Sequence, residues 1–133
     1  AGITAPETGQ YRITVNLNNN TYSLLKIDRW SLVGDAVEGG WGGDVPLTYQ
    51  GNSVWTTTIE FYKPYASAGC IFRANGDWGY LLKRIVNSGN ANNTRGNLVM
   101  ESEAAGMGKV FEDLPGPEIG TYKVTLNLAA DAY

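Results

Sequence analysis

The chain has 133 residues, 43% of them hydrophobic and 17% charged, which is the size and composition of a single globular domain. Its net charge of −3 provides no basic surface for the phosphates of DNA or RNA, so we expect no nucleic-acid partner. The lack of histidine and the single cysteine, Cys70, remove the commonest general base, the commonest metal ligand and any internal disulfide, so the sequence predicts no catalytic residue, no cofactor and no metal.

The first predicted element is a β-hairpin near the N-terminus. Apolar side chains occupy alternate positions of its first strand: Tyr11, Ile13, Val15 and Leu17. Such alternation is typical of a strand with one buried face. The run Asn18–Asn20 predicts a turn, and Thr21–Ile27 predicts the returning strand. We expect this hairpin to pack on the rest of the domain and to supply an edge strand.

Five further strands are predicted between turn-forming segments. They are Trp30–Gly34, Pro46–Tyr49, Trp55–Phe61, Cys70–Ala74 and Tyr80–Val86. The connecting segments are predicted to be a glycine-rich loop at Glu38–Asp44, a connection at Tyr62–Gly69, a tight turn at Asn75–Gly79 and a polar loop at Asn87–Gly96. Residues 97–114 have weak patterning, and no segment predicts a long helix.

Short strands separated by turns at this density predict an all-β fold, an antiparallel two-sheet Ig-like β-sandwich. Residues in the inward phase of the strands are expected to form the core: Trp55, Ile59, Cys70, Phe72, Tyr122, Val124 and Leu126. Trp30 opens a strand and is also expected to be buried, whereas Arg73 is expected to point outward.

Two segments near the ends of the chain share a sequence pattern. Pro6–Leu17 reads PETGQYRITVNL, and Pro117–Leu128 reads PEIGTYKVTLNL 111 residues later, with no gap. Two amphipathic strands can look alike by chance, but the shared Pro-Glu-x-Gly-x-Tyr opening favours a tandem module with that period. We therefore expect residues 1–27 to be the closing hairpin of a preceding repeat and residues 28–133 to form the sandwich module, in a parent protein that continues upstream.

Two tryptophans are predicted to lie in loops. Trp41 has two glycines on each side, and Trp78 follows a strand in the turn Asn75–Gly79. A large apolar group on a polar loop tends to mark an interaction site. The alternative is that either indole folds back to cap one end of the sandwich.

Sugar rings present flat C–H faces edged by hydroxyls, and an aromatic plane with nearby polar groups binds both features. The sequence offers such groups around the two loop tryptophans. The candidate carbohydrate-binding residues are Trp41, Trp78, Tyr80, Arg73, Asn75, Asp77 and Lys83.

With these residues assembled, the chain resembles the repeat of SusE and SusF, surface starch-binding lipoproteins of Bacteroidetes. Four motifs carry the resemblance, in order WSLVGDAVEGGW at 30–41, Trp55, FRANGDWG at 72–79 and GTYKVTLNL at 120–128. The resemblance implies a tandem array of Ig-like modules on a lipid anchor, exposed on the cell outer membrane beside a SusC-like transporter and a SusD-like binder. It also implies that Trp41, Trp78 and the Arg73–Asp77 run hold a glucan.

The sequence departs from that family in two places near the expected site. After Trp78 the family often has an Asn, an aromatic residue and two glycines, whereas this chain has Gly79-Tyr80-Leu81-Leu82-Lys83-Arg84. The segment Asn87–Pro117 is also longer than is usual. These departures leave open which sugar is bound and whether this repeat binds one.

The leading hypothesis is thus a non-catalytic module that binds neutral oligosaccharide in a surface glycan-uptake system. The alternative is a structural spacer or assembly module without its own sugar site. A hydrolase would need two facing carboxylates, and such pairs can be drawn in any acidic chain of this size, here from Asp35, Asp44, Asp77, Glu101 and Glu103. Because no run reaches the roughly 18 apolar residues of a membrane span, membrane attachment is expected only through an anchor outside this chain.

Overall fold

The computed structural model of the chain describes residues 2–63 and 68–133. The predicted connection Tyr62–Gly69 therefore lies partly outside the described residues. About half of the chain, 52%, is strand and 3% is helix, and the antiparallel sheets pack against each other as a sandwich. The predicted all-β sandwich is confirmed. In the described residues no helix is long and apolar enough to span a bilayer.

The described residues form twelve strands and one short helix. In chain order these are β1 (Gln10–Asn16), β2 (Thr21–Ile27), β3 (Trp30–Gly34), β4 (Gly40–Pro46), β5 (Thr48–Gly51), β6 (Val54–Phe61), β7 (Gly69–Ala74), β8 (Leu81–Ile85), β9 (Leu98–Met100), α1 (Glu101–Ala104), β10 (Phe111–Glu112), β11 (Leu114–Pro115) and β12 (Gly120–Asn127). The weakly patterned segment 97–114 thus contains β9, α1, β10 and the start of β11.

Three sheets arise from these strands, and every pairing is antiparallel. The largest sheet has the order β10-β8-β7-β3-β4, with β9 also paired to β8 and β11 to β7. The second sheet has the order β12-β6-β5. Strands β1 and β2 form a separate two-stranded hairpin. The N-terminal hairpin therefore does not extend either sheet as the edge strand that the sequence predicted.

The main hydrophobic core lies between the two larger sheets. Phe72 of β7 and Leu32 of β3 come from one side, and Trp55 of β6 and Leu126 of β12 come from the other. Of the seven predicted core residues, five are buried: Trp55, Ile59, Cys70, Phe72 and Leu126. The other two, Tyr122 and Val124, are partly buried and pack against the same cluster. Trp30 is also buried.

The opposite face of the large sheet carries a small second cluster. It consists of Val33, Ile71 and Leu81, all of which are buried. These residues belong to β3, β7 and β8, which are adjacent in the sheet. Arg73 shares this face, because it alternates with the core residue Phe72 along β7. The predicted outward direction of Arg73 is therefore correct, but its side chain is buried.

Strand β4 is a correction to the sequence prediction of a loop at Glu38–Asp44. The segment pairs with β3 through a register shift between Leu32 and Gly34, so the glycine-rich run is a bulged edge strand. A Cβ added to Gly43 would lie 2.9 Å from the Cα of Gly39, which has a φ of +83°. The glycines thus permit a close backbone approach inside a strand that β-propensity alone disfavours.

The N-terminal hairpin contacts the sandwich through the face that carries Arg12, Leu25 and Ile27. The Nε of Arg12 on β1 donates to Glu103 of α1 at 3.2 Å. On β2, Ile27 belongs to the main core and Leu25 packs against it. The alternating residues Ile13, Val15 and Leu17, which the pattern predicted to be the buried face, are exposed. The predicted burial of these three side chains is therefore wrong.

Candidate functional site

The turn between β7 and β8 presents Trp78 to solvent. Asn75 and Gly76 adopt left-handed conformations, with φ of 55° and 63°. The backbone N–H of Ala74 donates to the carbonyl of Tyr80 at 3.0 Å, which closes the base of the turn. At its tip the Asp77 carboxylate accepts from the N–H of Gly79 at 2.7 Å, an Asx-turn interaction. The turn is therefore fixed by its own hydrogen bonds, while Trp78 remains 54% exposed.

Arg73 supports one face of the Trp78 ring. Its guanidinium carbon lies 4.3 Å from the ring centroid, within the range of a cation–π contact. The same guanidinium donates to the Asp44 carboxylate at 2.8 Å. Since Asp44 lies on β4 and Arg73 on β7, this ion pair bridges the intervening strand β3. The indole is thus held over a cation that is itself fixed to the sheet.

Burial limits what Arg73 can do. Its side chain is only 7% exposed, so its donors face the protein rather than solvent. Within the described part of the chain, its Nε and the hydroxyl of Ser31, which lies opposite on β3, have no hydrogen-bond partner. We conclude that Arg73 positions Trp78 and does not itself present donors at the surface.

Asn75 connects this turn to the end of the hairpin. Its side-chain oxygen accepts from the backbone N–H of Asp28 at 2.8 Å, and its side-chain nitrogen donates to the carbonyl of Lys26 at 2.9 Å. A longer contact of 3.4 Å joins the same oxygen to the N–H of Arg29. The amide of this predicted site residue is therefore engaged with backbone groups of residues 26–29.

Tyr80 and Lys83 are engaged with other parts of the fold. Tyr80 packs against the main core and lines a cavity that also includes Arg12 and Met100. Lys83 forms ion pairs of 2.9 Å with Glu101 and 3.2 Å with Asp113. Burial alone would lower the pKa of Lys83, but its hydrogen-bonded pairing with these two carboxylates outweighs burial and raises the pKa above 10.5. Both residues thus have structural contacts in this fold.

Trp41 lies on the edge strand β4 and is 39% exposed. It precedes Asp44 by three positions, which corresponds to about 10 Å along a strand. The chain of contacts from Trp78 through Arg73 to Asp44 therefore ends on the strand that carries Trp41. The predicted meeting of the two indoles on one surface stays a prediction.

The residue that sequence reasoning missed is Asp44. The sequence marked it only as one of several carboxylates, because its pairing with Arg73 depends on the strand order β7-β3-β4. The only sequence signal was the opposite charge of Asp44 and Arg73, which lie near Trp41 and Trp78 in the sequence. Without knowledge of the register, that signal cannot be separated from the chain's other opposite charges.

A separate cavity of about 340 Å³ lies between the hairpin and the sandwich. It is lined by Tyr11, Arg12, Trp30 and Trp55, among other residues, and by none from the Trp78 turn. It is therefore a seam between two parts of the fold. Residues 2–63 and 68–133 contain no group of three or more His, Cys, Asp or Glu side chains that could hold a metal ion.

Comparisons of this chain with protein-family models, with curated proteins and with solved structures gave no match.

Proposed function

We propose that this chain is a non-catalytic module that binds a neutral oligosaccharide, a starch-like glucan, on the surface formed by the Trp78 turn. The observation that carries the proposal is the pairing of an exposed indole with a buried cation. Trp78 is 54% exposed, and Arg73 lies 4.3 Å beneath its ring. Because Trp78 is more than half exposed although Arg73 lies against one ring face, much of the indole is accessible as an apolar surface.

The chemistry of this surface suits a sugar ring. The C–H face of a pyranose can stack on the exposed part of the indole, and the exposed Asp77 carboxylate can accept from a neighbouring hydroxyl. The turn is already ordered by its own hydrogen bonds, so binding requires little reorganisation. A shallow site of this kind binds weakly, because each hydroxyl contact replaces one with water. Linked modules would compensate by raising the local concentration of sites.

The cellular setting belongs to the same proposal and rests on the resemblance to SusE and SusF. The module would act on the cell outer membrane, exposed to the medium, in a lipoprotein whose anchor lies outside this chain. Its partners there would be a polysaccharide and a SusC/SusD-like transporter complex. The lack of any histidine supports a binding role over an enzymatic one, since the commonest general base is missing.

The alternative is a spacer or assembly module, and one observation favours it. Four of the seven candidate residues are engaged in holding the fold, namely Arg73 with Asp44, Asn75 with residues 26–29, Tyr80 with the core, and Lys83 with two carboxylates. A module used only for assembly would need these contacts and would not need Trp78 to be exposed. The exposure of Trp78 is therefore the point on which the two functions differ.

The test is a titration of the chain with neutral glucan oligosaccharides and with acidic oligosaccharides of equal length. We expect binding of the neutral series only, nearly unchanged between low and high salt because no ionic contact forms. Trp78→Ala should weaken that binding about tenfold or more, because the ring supplies most of the apolar area.

Tyr22→Ala is the matched control, because Tyr22 is an equally exposed aromatic residue, at 53%, on the hairpin. It should bind as the parent chain does. Equal affinities for Trp78→Ala and the parent chain would overturn the site. A parent chain that binds none of these sugars would overturn the sugar proposal and favour the spacer.

A further inference from the structure

The N-terminal hairpin has two chemically different faces. The face toward the sandwich carries Arg12, which pairs with Glu103, and Leu25, which packs on the core. The other face carries apolar side chains that are largely exposed, although Tyr11 and Ile13 near one end of it also line the cavity between the hairpin and the sandwich. This face carries Ile13, 57% exposed, and Val15, 55% exposed, together with Tyr22 directly across from Val15 on β2. An exposed apolar surface of this kind is unfavourable for an isolated hairpin, so we expect another part of the protein to cover it.

The equivalent face of β12 is covered by the main core of this sandwich. The residues 111 positions after Ile13, Val15 and Leu17 are Val124, Leu126 and Leu128. Leu126 is fully buried, and Val124 and Leu128 pack against the main core. β12 reaches that core by pairing with β6 over its whole length, from Gly120 opposite Phe61 to Asn127 opposite Val54.

The two segments that share a sequence pattern also share hydrogen bonds and backbone conformation. The hydroxyl of Tyr11 donates to the carbonyl of Glu7 at 2.8 Å, and that of Tyr122 donates to the carbonyl of Glu118 at 2.8 Å. These two hydrogen bonds occupy equivalent places, 111 residues apart.

The turns that follow the two strands also agree. The Asn16 side chain accepts from the N–H two residues on, at 3.0 Å, and the Asn127 side chain does the same at 3.1 Å. Left-handed residues follow at Asn20 and Asp131, with φ of 56° and 48°. Each strand then pairs back five residues later, Asn16 with Thr21 and Asn127 with Ala132.

The free edge of β1 also corresponds to the edge that β12 uses. β1 gives one edge to β2, and β12 gives the equivalent edge to Ala132. β12 gives its second edge to β6, whereas among the described residues β1 pairs only with β2. The second edge of β1 therefore carries unpaired backbone groups in the place where a β6-type strand would bind.

We propose that the apolar face of this hairpin closes the core of a second sandwich module of the same kind, preceding this one in the same polypeptide. β1 pairs with the β6-type strand of that module in the register of β12. Tyr11, Ile13 and Val15 then lie opposite its counterparts of Ile59, Thr57 and Trp55. The hairpin is shared, one face in each module, so that the joint between modules is a packed interface. None of this depends on sugar binding.

The test is a two-module chain in which residues 18–116, which keep β2 and its core residue Ile27, are placed directly before residues 6–133, so that Pro6 follows Gly116 as Pro117 does. The first module then has only β1 available as its closing strand. We expect both modules to fold, which doubles the unfolding amplitude of the buried tryptophans. We also expect the β1 amides that point away from β2 to exchange with deuterium about tenfold or more slowly than in the 133-residue chain.

Ile13→Asp with Val15→Asp is the discriminating variant. In the 133-residue chain these side chains are more than half exposed, so the double substitution should shift the unfolding midpoint only slightly. In the two-module chain it should abolish folding of the first module and halve the amplitude. The equivalent change, Val124→Asp with Leu126→Asp, should instead abolish folding of the second module.

The proposal is overturned if the first module stays unfolded while the second folds. It is also overturned if the Ile13 and Val15 substitutions destabilise the 133-residue chain as much as the two-module chain.

Discussion

Strands β1 and β12 share a sequence pattern but have opposite surroundings. Both begin within a Pro-Glu-x-Gly-x-Tyr motif, and both are followed by the same asparagine-stabilised turn. Leu126 of β12 is 0% exposed, whereas Val15 at the equivalent position of β1 is largely open to solvent. The comparison shows that local sequence specifies the strand, its faces and its turn. What each face packs against is decided by the strand that lies alongside.

The largest expected difference comes from truncating that equivalent pair. Leu126→Ala removes buried methyl groups from the core and should lower the free energy of unfolding by about 2–5 kcal/mol. Val15→Ala, in the 133-residue chain, should change it by no more than about 0.5 kcal/mol, since the side chain is exposed. Denaturant unfolding of both variants measures the difference. Similar losses would mean that the hairpin face is covered in solution.

A smaller difference is expected at the paired tyrosines. Tyr122→Phe removes the hydrogen bond to the Glu118 carbonyl and should cost about 0.5–1.5 kcal/mol, because Tyr122 also packs edge-on against Phe61 in the sandwich. Tyr11→Phe removes the same bond at the entry to the hairpin. It should cost less, because that end can open without unfolding the sandwich. Thermal melts monitored by aromatic circular dichroism compare the two, and a larger loss for Tyr11→Phe would contradict this order.

The smallest expected difference in stability is between substitutions of Arg12 on β1 and of its counterpart Lys123 on β12. Arg12→Met breaks the ion pair with Glu103 and should cost about 0.2–1 kcal/mol at low salt, because both side chains are about one-third exposed. Its counterpart Lys123 is exposed, and Lys123→Met should have no measurable effect. The Arg12 loss should shrink in high salt. A loss that persists unchanged in high salt would show that Arg12 contributes by packing instead of by charge.

The positions of most strands could be predicted from the sequence because their evidence is local. Alternation and turn residues place β2 at Thr21–Ile27 and β3 at Trp30–Gly34, as the structure has them. The segment Gly40–Pro46 could not be placed, because glycine has low strand propensity and the pairing of β4 with β3 comes from distant parts of the chain.

The candidate site could be predicted less well than the fold. Strand phase showed that Arg73 points away from the core, but not that Asp44 and Trp78 bury it, because those contacts depend on sheet order. The inward direction of Tyr80 follows from its phase relative to Leu82 on β8, once β8 is known to begin at Leu81. The contacts of Asn75 with residues 26–29 have no local signal, since the partners lie 46 to 49 positions away.

The rate at which Cys70 is chemically modified depends on how often the sandwich opens. Burial raises the pKa of its thiol to about 12, and the thiolate is the form that reacts with alkylating reagents. The folded chain therefore keeps its only cysteine inert at neutral pH. A reagent gains access to the sulfur only when β7 separates from the core, so the rate of modification reports how often the two sheets part. Mass spectrometry of the alkylated protein measures that rate, either in a single module or in an array.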